Sequence, residues 1–262
     1  MTIEVLRPEG GYPLAVVKEE RDSVPLVGFG DLHAGSPTFD EAQALKTRSW
    51  ITDNQALWFG MGDYLDNGTV SSPGSSWLDQ TMKPGEQQAY IRDFFLPISH
   101  LCIGMITGNH EERTYKTTGT DPSGIIAYET GIPYFGYELY AKIGKERENA
   151  FTLYACHSTS APKTTGLALN WMVRDWRWAH FDIIAKAHDH SMGFDTIPYV
   201  EVDKTSEVVR ERVSYALLTG HYLRKPNSYN AKAGRAPKPT GTVALWLDLK
   251  TRERKVKPEY IV

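Results

Sequence analysis

The stretch that decides the fold is ALWFGMGDYLDN at residues 56–67, an apolar run that ends in two carboxylates. Uninterrupted apolar runs of this kind are typical of strands buried on both faces of a parallel sheet. Asp63 follows the run after one glycine, and Asp66 comes three residues later. Because open α/β sheets bind ligands at the carboxyl ends of their strands, Asp63 is the leading candidate for a metal ligand. Aspartate and glycine are also ordinary turn residues, so this stretch alone does not establish a metal site.

Four further apolar runs end in the same way, each followed by side chains that can bind a metal. The runs and the candidate ligands after them are 25–30 with Asp31 and His33, 101–106 with Asn109 and His110, 150–156 with His157, and 181–187 with His188 and His190. Each group, taken singly, fits a turn as well as a ligand site. Five of the eight histidines fall at these points, which favours a shared site over five separate structural histidines.

The chemistry of these side chains indicates two metal ions. Carboxylate and amide oxygens combined with imidazoles suit manganese, iron or zinc. A shared carboxylate can bridge two such cations at ~3.5–4 Å, and the pair lowers the pKa of a shared water and neutralises a phosphoryl group. A histidine held by a carboxylate could then donate a proton. Because the metal ions activate a water, hydrolysis at such a site requires no covalent protein nucleophile.

Length and composition predict one soluble α/β domain that spans residues 1–262. The chain has 262 residues, 41% of them hydrophobic, which suffices for a full core. Its net charge of −3 excludes a global attraction to nucleic acid or to an anionic membrane. No apolar run is long enough to cross a bilayer and no signal peptide is visible, so we expect a cytoplasmic protein. Cys102 and Cys156 lie in apolar stretches and are expected to be buried thiols.

The remaining segments supply helices, a second sheet and polar loops. Helical spacing or capping predicts helices at 39–52, 84–99, 124–130 and 163–180, with the tryptophans of the last assigned to core packing. Strand-like segments at 134–143, 150–156, 197–202, 208–218 and 242–249 are expected to form the second sheet, so that residues 191–262 extend it. Residues 1–22 predict an irregular arm or an edge strand, and 68–80 a flap or a connection. The basic segments 224–239 and 250–257 are either solvated surface or a substrate track.

These motifs resemble, in order, the signature of calcineurin-like metallophosphoesterases. They are Asp31-Leu32-His33, Gly62-Asp63-Tyr64-Leu65-Asp66-Asn67, Gly108-Asn109-His110-Glu111, His157 and His188-Asp189-His190, and they span residues 31–190. The resemblance implies a four-layer αββα sandwich with two mixed β-sheets flanked by helices. It also implies two divalent metal ions, with manganese preferred over iron, zinc or magnesium.

The resemblance further implies a role for each motif residue. One metal would be held by Asp31, His33, Asp63 and His190, and the other by Asp63, Asn109, His157 and His188. His110, oriented by Asp66, would protonate the leaving oxygen or stabilise the transition state while a metal-bridging hydroxide attacks the phosphorus.

One departure from the family pattern and one further likeness bear on the substrate. Asn67 stands where the protein-phosphatase branch has an arginine that grips a phosphomonoester, so a Ser/Thr protein phosphatase is not expected. Segments 113–121 and 218–224 resemble phage-encoded members of the family described as phosphoesterases or repair-exonuclease-like proteins. The candidate substrate-binding residues are therefore Asn67, Arg113, Lys116 and Arg224.

Three functions remain open on the sequence. The first is a two-metal phosphodiesterase or nuclease that acts on DNA, RNA or a nucleotide-derived diester. The second is a phosphomonoesterase for a small substrate. The third is a non-catalytic binding module on the same fold, which the presence of every motif ligand and of His110 disfavours.

Overall fold

The computed structural model describes residues 1–69, 77–145, 149–159, 162, 164–178, 180–203, 207–224, 236–251 and 253–262. The strands are β1 (Thr2–Leu6), β2 (Leu14–Lys18), β3 (Ser23–Phe29), β4 (Leu57–Gly60), β5 (Cys102–Met105), β6 (Glu138–Gly144), β7 (Phe151–Cys156), β8 (Ile183–Lys186), β9 (Met192–Asp203), β10 (Val208–Thr219), β11 (Thr242–Asp248) and β12 (Val256–Ile261). The α-helices are α1 (Glu41–Asp53), α2 (Pro84–Phe95), α3 (Asn109–Thr118), α4 (Pro122–Thr130) and α5 (Thr165–Trp176). Short 3₁₀ turns lie at Trp77–Asp79 and Leu96–Leu101.

The first sheet has the strand order β12-β11-β3-β4-β5. Strands β3, β4 and β5 run parallel, whereas β11 pairs antiparallel with both β3 and β12. Phe29 at the end of β3 lies opposite Gly60 at the end of β4, so the loops after these strands leave the same edge side by side. The first three groups of candidate ligands are therefore carried to one place.

The second sheet has the strand order β1-β2-β6-β7-β8-β10-β9. Strand β7 is parallel to β8, with Cys156 opposite Lys186, and β8 is parallel to β10. The other pairs include antiparallel ones, so this sheet is mixed, like the first. His157 and His188 follow the ends of β7 and β8, which brings them to a common edge of this sheet.

Apolar side chains fill the space between the two sheets and the space under the helices. The central cluster joins Leu26 and Phe59 of the first sheet to Leu153 and Leu217 of the second. A second cluster packs residues of α1, α2 and α4 on the outer face of the first sheet, and a third packs α5 on the second sheet. Four layers result, helices, sheet, sheet and helices, and this confirms the fold class predicted from the sequence.

One prediction about the second half of the chain is wrong. Segment 242–249 forms β11 and pairs with β3, so it extends the first sheet rather than the second. Part of the basic segment 250–257 enters β12, an edge strand whose lysine and proline are features that discourage pairing with other chains.

Residues 1–22 contain β1 and β2, and β2 is an interior strand that pairs with both β1 and β6. Within the described ranges, no helix is both long and apolar enough to cross a membrane.

Candidate metal centre

The loops after β3 and β4 continue the pairing of their strands and so place the first ligands in contact. The backbone N–H of Asp31 donates to the carbonyl of Gly62 at 2.9 Å, and that of His33 donates to the carbonyl of Asp63 at 3.0 Å. Close approach of the next loop depends on Gly108, because a Cβ there would lie 2.2 Å from Oδ1 of Asp63. The glycine at position 108 thus allows the start of α3 to contact Asp63, the residue expected to bind both metal ions.

Backbone strain is concentrated at the predicted site. Left-handed φ angles, which non-glycine residues rarely adopt, occur at Asp31 (48°), His33 (50°), Asp63 (50°), Asn67 (46°), His188 (77°) and His190 (56°). Such conformations cost of order 1–3 kcal/mol each and persist where the surrounding structure enforces them, most often at functional sites. The strained loops direct the polar side chains toward one another where the strands of the two sheets end.

One group of side chains that could hold a cation consists of Asp31, His33 and His190, whose ligand atoms lie within 4.8 Å of one another. Nε2 of His33 lies 3.2 Å from Nε2 of His190, and Nε2 of His190 lies 3.6 Å from Oδ1 of Asp31. Oδ2 of Asp63 lies 3.8 Å from Nε2 of His33. The structure therefore brings together the four residues predicted for the first metal.

A second group consists of Asp63, His157 and His188, again with ligand atoms within 4.8 Å of one another. Nε2 of His157 lies 3.2 Å from Oδ2 of Asp63 and 3.1 Å from Oδ1 of Asn109. Nδ1 of His157 contacts the carbonyl oxygen of Met61 at 2.6 Å, which directs Nε2 into the site. All seven predicted ligands are adjacent, and Asp63 lies between the two groups.

The donor set fits divalent cations. Oδ2 of Asp31 accepts a hydrogen bond from the backbone of His188 at 2.9 Å, but Oδ1 is buried and receives no hydrogen bond from the described residues. A buried carboxylate oxygen without a donor costs free energy unless a cation compensates its charge. Oδ1 points toward His33 and His190, and oxygen with imidazole is a donor combination that suits manganese, iron and zinc.

Burial and mutual attraction shift the pKa values of these groups strongly. Burial raises the pKa of Asp31 to about 7. Burial also opposes ionisation of Asp63, yet the nearby His157 and His110 hold the pKa of its carboxyl well below its usual range. Burial disfavours the charged form of His157, but the Asp63 carboxylate outweighs this and raises the pKa of His157 to about 10. Because a metal binds only the neutral imidazole, we expect metal binding at His157 to release a proton.

His110 lies at the open side of the site. Its side chain is 19% exposed, compared with 2% for Asp63. Nδ1 of His110 contacts the main-chain carbonyl of Asp66 at 2.5 Å, whereas Oδ1 of the Asp66 carboxylate is 3.7 Å from the same nitrogen. Burial lowers the pKa of His110 to about 4. Asp66 thus contacts His110 mainly through its backbone, and its carboxylate also faces Nδ1 of His33 at 3.5 Å.

The four candidate substrate-binding residues differ in their positions. Asn67 is buried, and its side-chain amide donates to Thr114 instead of facing an open cleft. Arg113 donates through Nε to the carbonyl of Asn109 at 3.3 Å, one helical turn from the ligands. Lys116 is 68% exposed and pairs with Glu112, so the structure does not bring it to the site.

Arg224, the fourth candidate, lies two residues after Tyr222, whose backbone N–H donates to the carbonyl of Asp31. Its own side chain donates to the carbonyl of Phe39. The basic positions Lys225, Lys232 and Arg235, and most of the loop 68–80, lie outside the described residues.

Three buried polar residues support the site, although the sequence analysis gave none of them a role. Glu111 accepts hydrogen bonds from the loops that carry Asp63 and Gly108. Gln87 accepts from the backbone of Asn67 and donates to Gln80, which in turn donates to the Asp66 carboxylate. His221 stacks on His190 with ring centroids 4.9 Å apart. Two of them carried a usable signal: Glu111 stands in the motif Gly108-Asn109-His110-Glu111, and His221 follows Gly220 at the end of β10, as the other site histidines follow their strands.

Comparisons with known proteins found similarity only at the level of structure. No family model and no curated protein matches the sequence. Vacuolar protein sorting 29 from Cryptosporidium parvum aligns with 91% of this chain and 97% of its own, at 15% identity and a TM-score of 0.40. A conserved uncharacterised protein from Streptococcus pneumoniae, named a predicted phosphoesterase, aligns with 92% of this chain and 99% of its own, at 10% identity and a TM-score of 0.38. The functional assignment therefore depends on this chain's own residues.

Proposed function

We propose that this protein is a phosphodiesterase that uses two divalent metal ions, with manganese as the first candidate. The observation that carries the proposal is the position of Asp63, whose Oδ2 lies 3.2 Å from His157 and 3.8 Å from His33 and so faces both groups of ligands. Asp31, His33 and His190 would complete one site, and Asn109, His157 and His188 the other. When bound, two such cations lower the pKa of a water and neutralise charge on a phosphoryl group.

In this proposal, His110 is the protein side chain that assists cleavage of the phosphate ester bond. It is partly exposed beside Asp63, its Nδ1 contacts the Asp66 carbonyl, and its Nε2 lies 3.9 Å from Oδ2 of Asp63. Burial keeps the free imidazole neutral at pH 7, but a bound phosphoryl anion would favour its protonated form. Protonated His110 would then donate a proton to the leaving oxygen or stabilise the negative transition state.

A diester within a nucleotide or nucleic acid is the proposed substrate. Asn67 supplies no positive charge for the extra negative charge of a monoester, and its amide is already bonded to Thr114. Arg113 lies one turn from the ligands and could contact a neighbouring phosphate. The resemblance to phage-encoded, repair-exonuclease-like proteins agrees with a nucleic-acid substrate.

The test compares substrates with the manganese-loaded protein. We expect hydrolysis of bis(p-nitrophenyl) phosphate and of single-stranded DNA, with p-nitrophenyl phosphate cleaved more slowly, and no hydrolysis after chelation. Cleavage of DNA should fall steeply with salt, because binding along several phosphates releases counterions. Arg113→Ala should impair DNA cleavage more than cleavage of the small diester, whereas Lys116→Ala, the matched control, should change neither.

Preference for the monoester with little salt effect would favour a phosphomonoesterase instead. Metal binding without any turnover would favour a binding module.

A further inference from the structure

Glu111, in the first turn of α3, is a fully buried carboxylate that the proposed reaction does not use. Its two oxygens accept three backbone hydrogen bonds. Oε2 accepts from Asp63 at 3.0 Å and from Gly108 at 3.2 Å, and Oε1 accepts from Leu65 at 3.0 Å. One side chain therefore joins the loop after β4 to the loop that precedes α3.

These bonds act on the residue that lies between the two groups of ligands. The backbone N–H of Asp63 is held by Glu111, and Oδ1 of Asp63 accepts from the backbone of His110 at 2.9 Å. With both of these atoms fixed, Oδ2 is the oxygen left to face His157 and His33. Asp63 also has a left-handed φ of 50°, a strained conformation that needs such support.

We propose that Glu111 is a positioning residue that aims Oδ2 of Asp63 between the two metal positions. The inference rests on the proposed two-metal function, since it gives Asp63 the role of a shared ligand. A carboxylate is required because all three partners are donors. Glutamine has the same shape but offers only one acceptor oxygen, so its NH₂ group would face a backbone N–H and repel it.

The experiment measures metal binding by Glu111→Gln in the purified, folded protein. Manganese titration followed by calorimetry gives affinity and stoichiometry, and electron paramagnetic resonance reports whether two manganese ions are magnetically coupled. We expect affinity to fall ~10–100-fold, as is usual when an outer-shell partner of a ligand is lost. The coupled signal should be replaced by that of isolated ions. Glu19→Gln is the matched control, because Glu19 is also buried but bonds to Arg21, outside the metal site.

The outcomes separate the inference from the function on which it rests. A wild-type protein that binds fewer than two manganese ions contradicts the two-metal function itself. A wild-type protein with a coupled pair, together with a Glu111→Gln variant that keeps the same affinity and coupling, overturns only the role of Glu111. If Glu111→Gln does not fold, Glu111→Asp provides the test, because it keeps both oxygens but is shorter by ~1.5 Å.

We expect Glu111→Asp to show an intermediate loss of affinity and coupling. Wild-type affinity and coupling in Glu111→Asp would overturn the inference. Failure of both variants to fold would also overturn it, since Glu111 would then maintain the fold rather than aim one ligand.

Discussion

Replacing Asp63 by asparagine keeps the shape of the side chain but removes the charge that faces both groups of ligands. Because the same oxygen lies near His33 and His157, we expect Asp63→Asn to lower metal content and activity together, with a loss of metal affinity of at least ~100-fold. Elemental analysis of the purified variant is the measurement. His157→Ala is the comparison, because it should weaken mainly one of the two positions. Two tightly bound metals in Asp63→Asn would disprove the shared role.

His110 offers the opposite pattern, loss of turnover with metal retained. His110→Ala removes a partly exposed imidazole whose Nδ1 is already engaged by the Asp66 carbonyl. A positioned general acid contributes ~10²–10⁴-fold in rate, and we expect a loss of that size. The loss should be larger for a diester with a poor alkyl leaving group than for an activated aryl diester. Equal losses would indicate charge stabilisation instead, and a fall in metal content would make His110 a ligand, as its position beside His33 and Asp63 allows.

At the scale of elements, helix α2 supports the site through Gln87. This buried side chain accepts from the backbone of Asn67 and donates to Gln80 and to the carbonyl of Met82. Gln87→Met is similar in volume but leaves these groups without a partner, and each lost partner costs ~1–3 kcal/mol. We expect the free energy of unfolding in urea to fall by ~2–4 kcal/mol.

The neighbouring Gln88 on the same helix provides the control for Gln87. Gln88→Met should change the free energy of unfolding by less than ~0.5 kcal/mol, because Gln88 is only half-buried. Equal effects of the two substitutions would contradict the supporting role of Gln87.

Elements marked by an apolar run, an apolar stripe or a capping residue were predictable, and elements without such a mark were not. The buried strands β3, β4 and β5 and the ligands after them follow directly from apolar runs that end in polar residues. Helix α3 escaped prediction because Glu111 is its one buried residue, so its sequence shows no apolar stripe. The partner of β11 could not be predicted either, since an apolar strand fits the edge of either sheet. Supporting contacts such as those of Glu111 and Gln87 involve backbone donors, which leave no pattern in the sequence.

For the whole molecule, metal binding should appear as thermal stability. A ligand that binds one site of the native state, at 100 times its dissociation constant, stabilises that state by ~2.7 kcal/mol. For a domain of this size, we expect manganese to raise Tm by roughly 5–10 °C relative to the chelated protein. Potassium chloride at equal ionic strength is the control. A shift of the same size in Asp63→Asn would mean that manganese stabilises the protein elsewhere.

The pairing of β3 with β11 has a consequence for synthesis on the ribosome. Strand β3 leads into Asp31, but one of its two edges is covered by β11, where Ala244 lies opposite Val27. Roughly 200 residues separate these strands, which corresponds to about 10–40 s of translation. Throughout that interval one edge of this apolar strand lacks its partner, and an unpaired strand edge is a surface that aggregates readily. All seven candidate ligands, at positions 31–190, are thus synthesised before the strand that completes the pairing of β3.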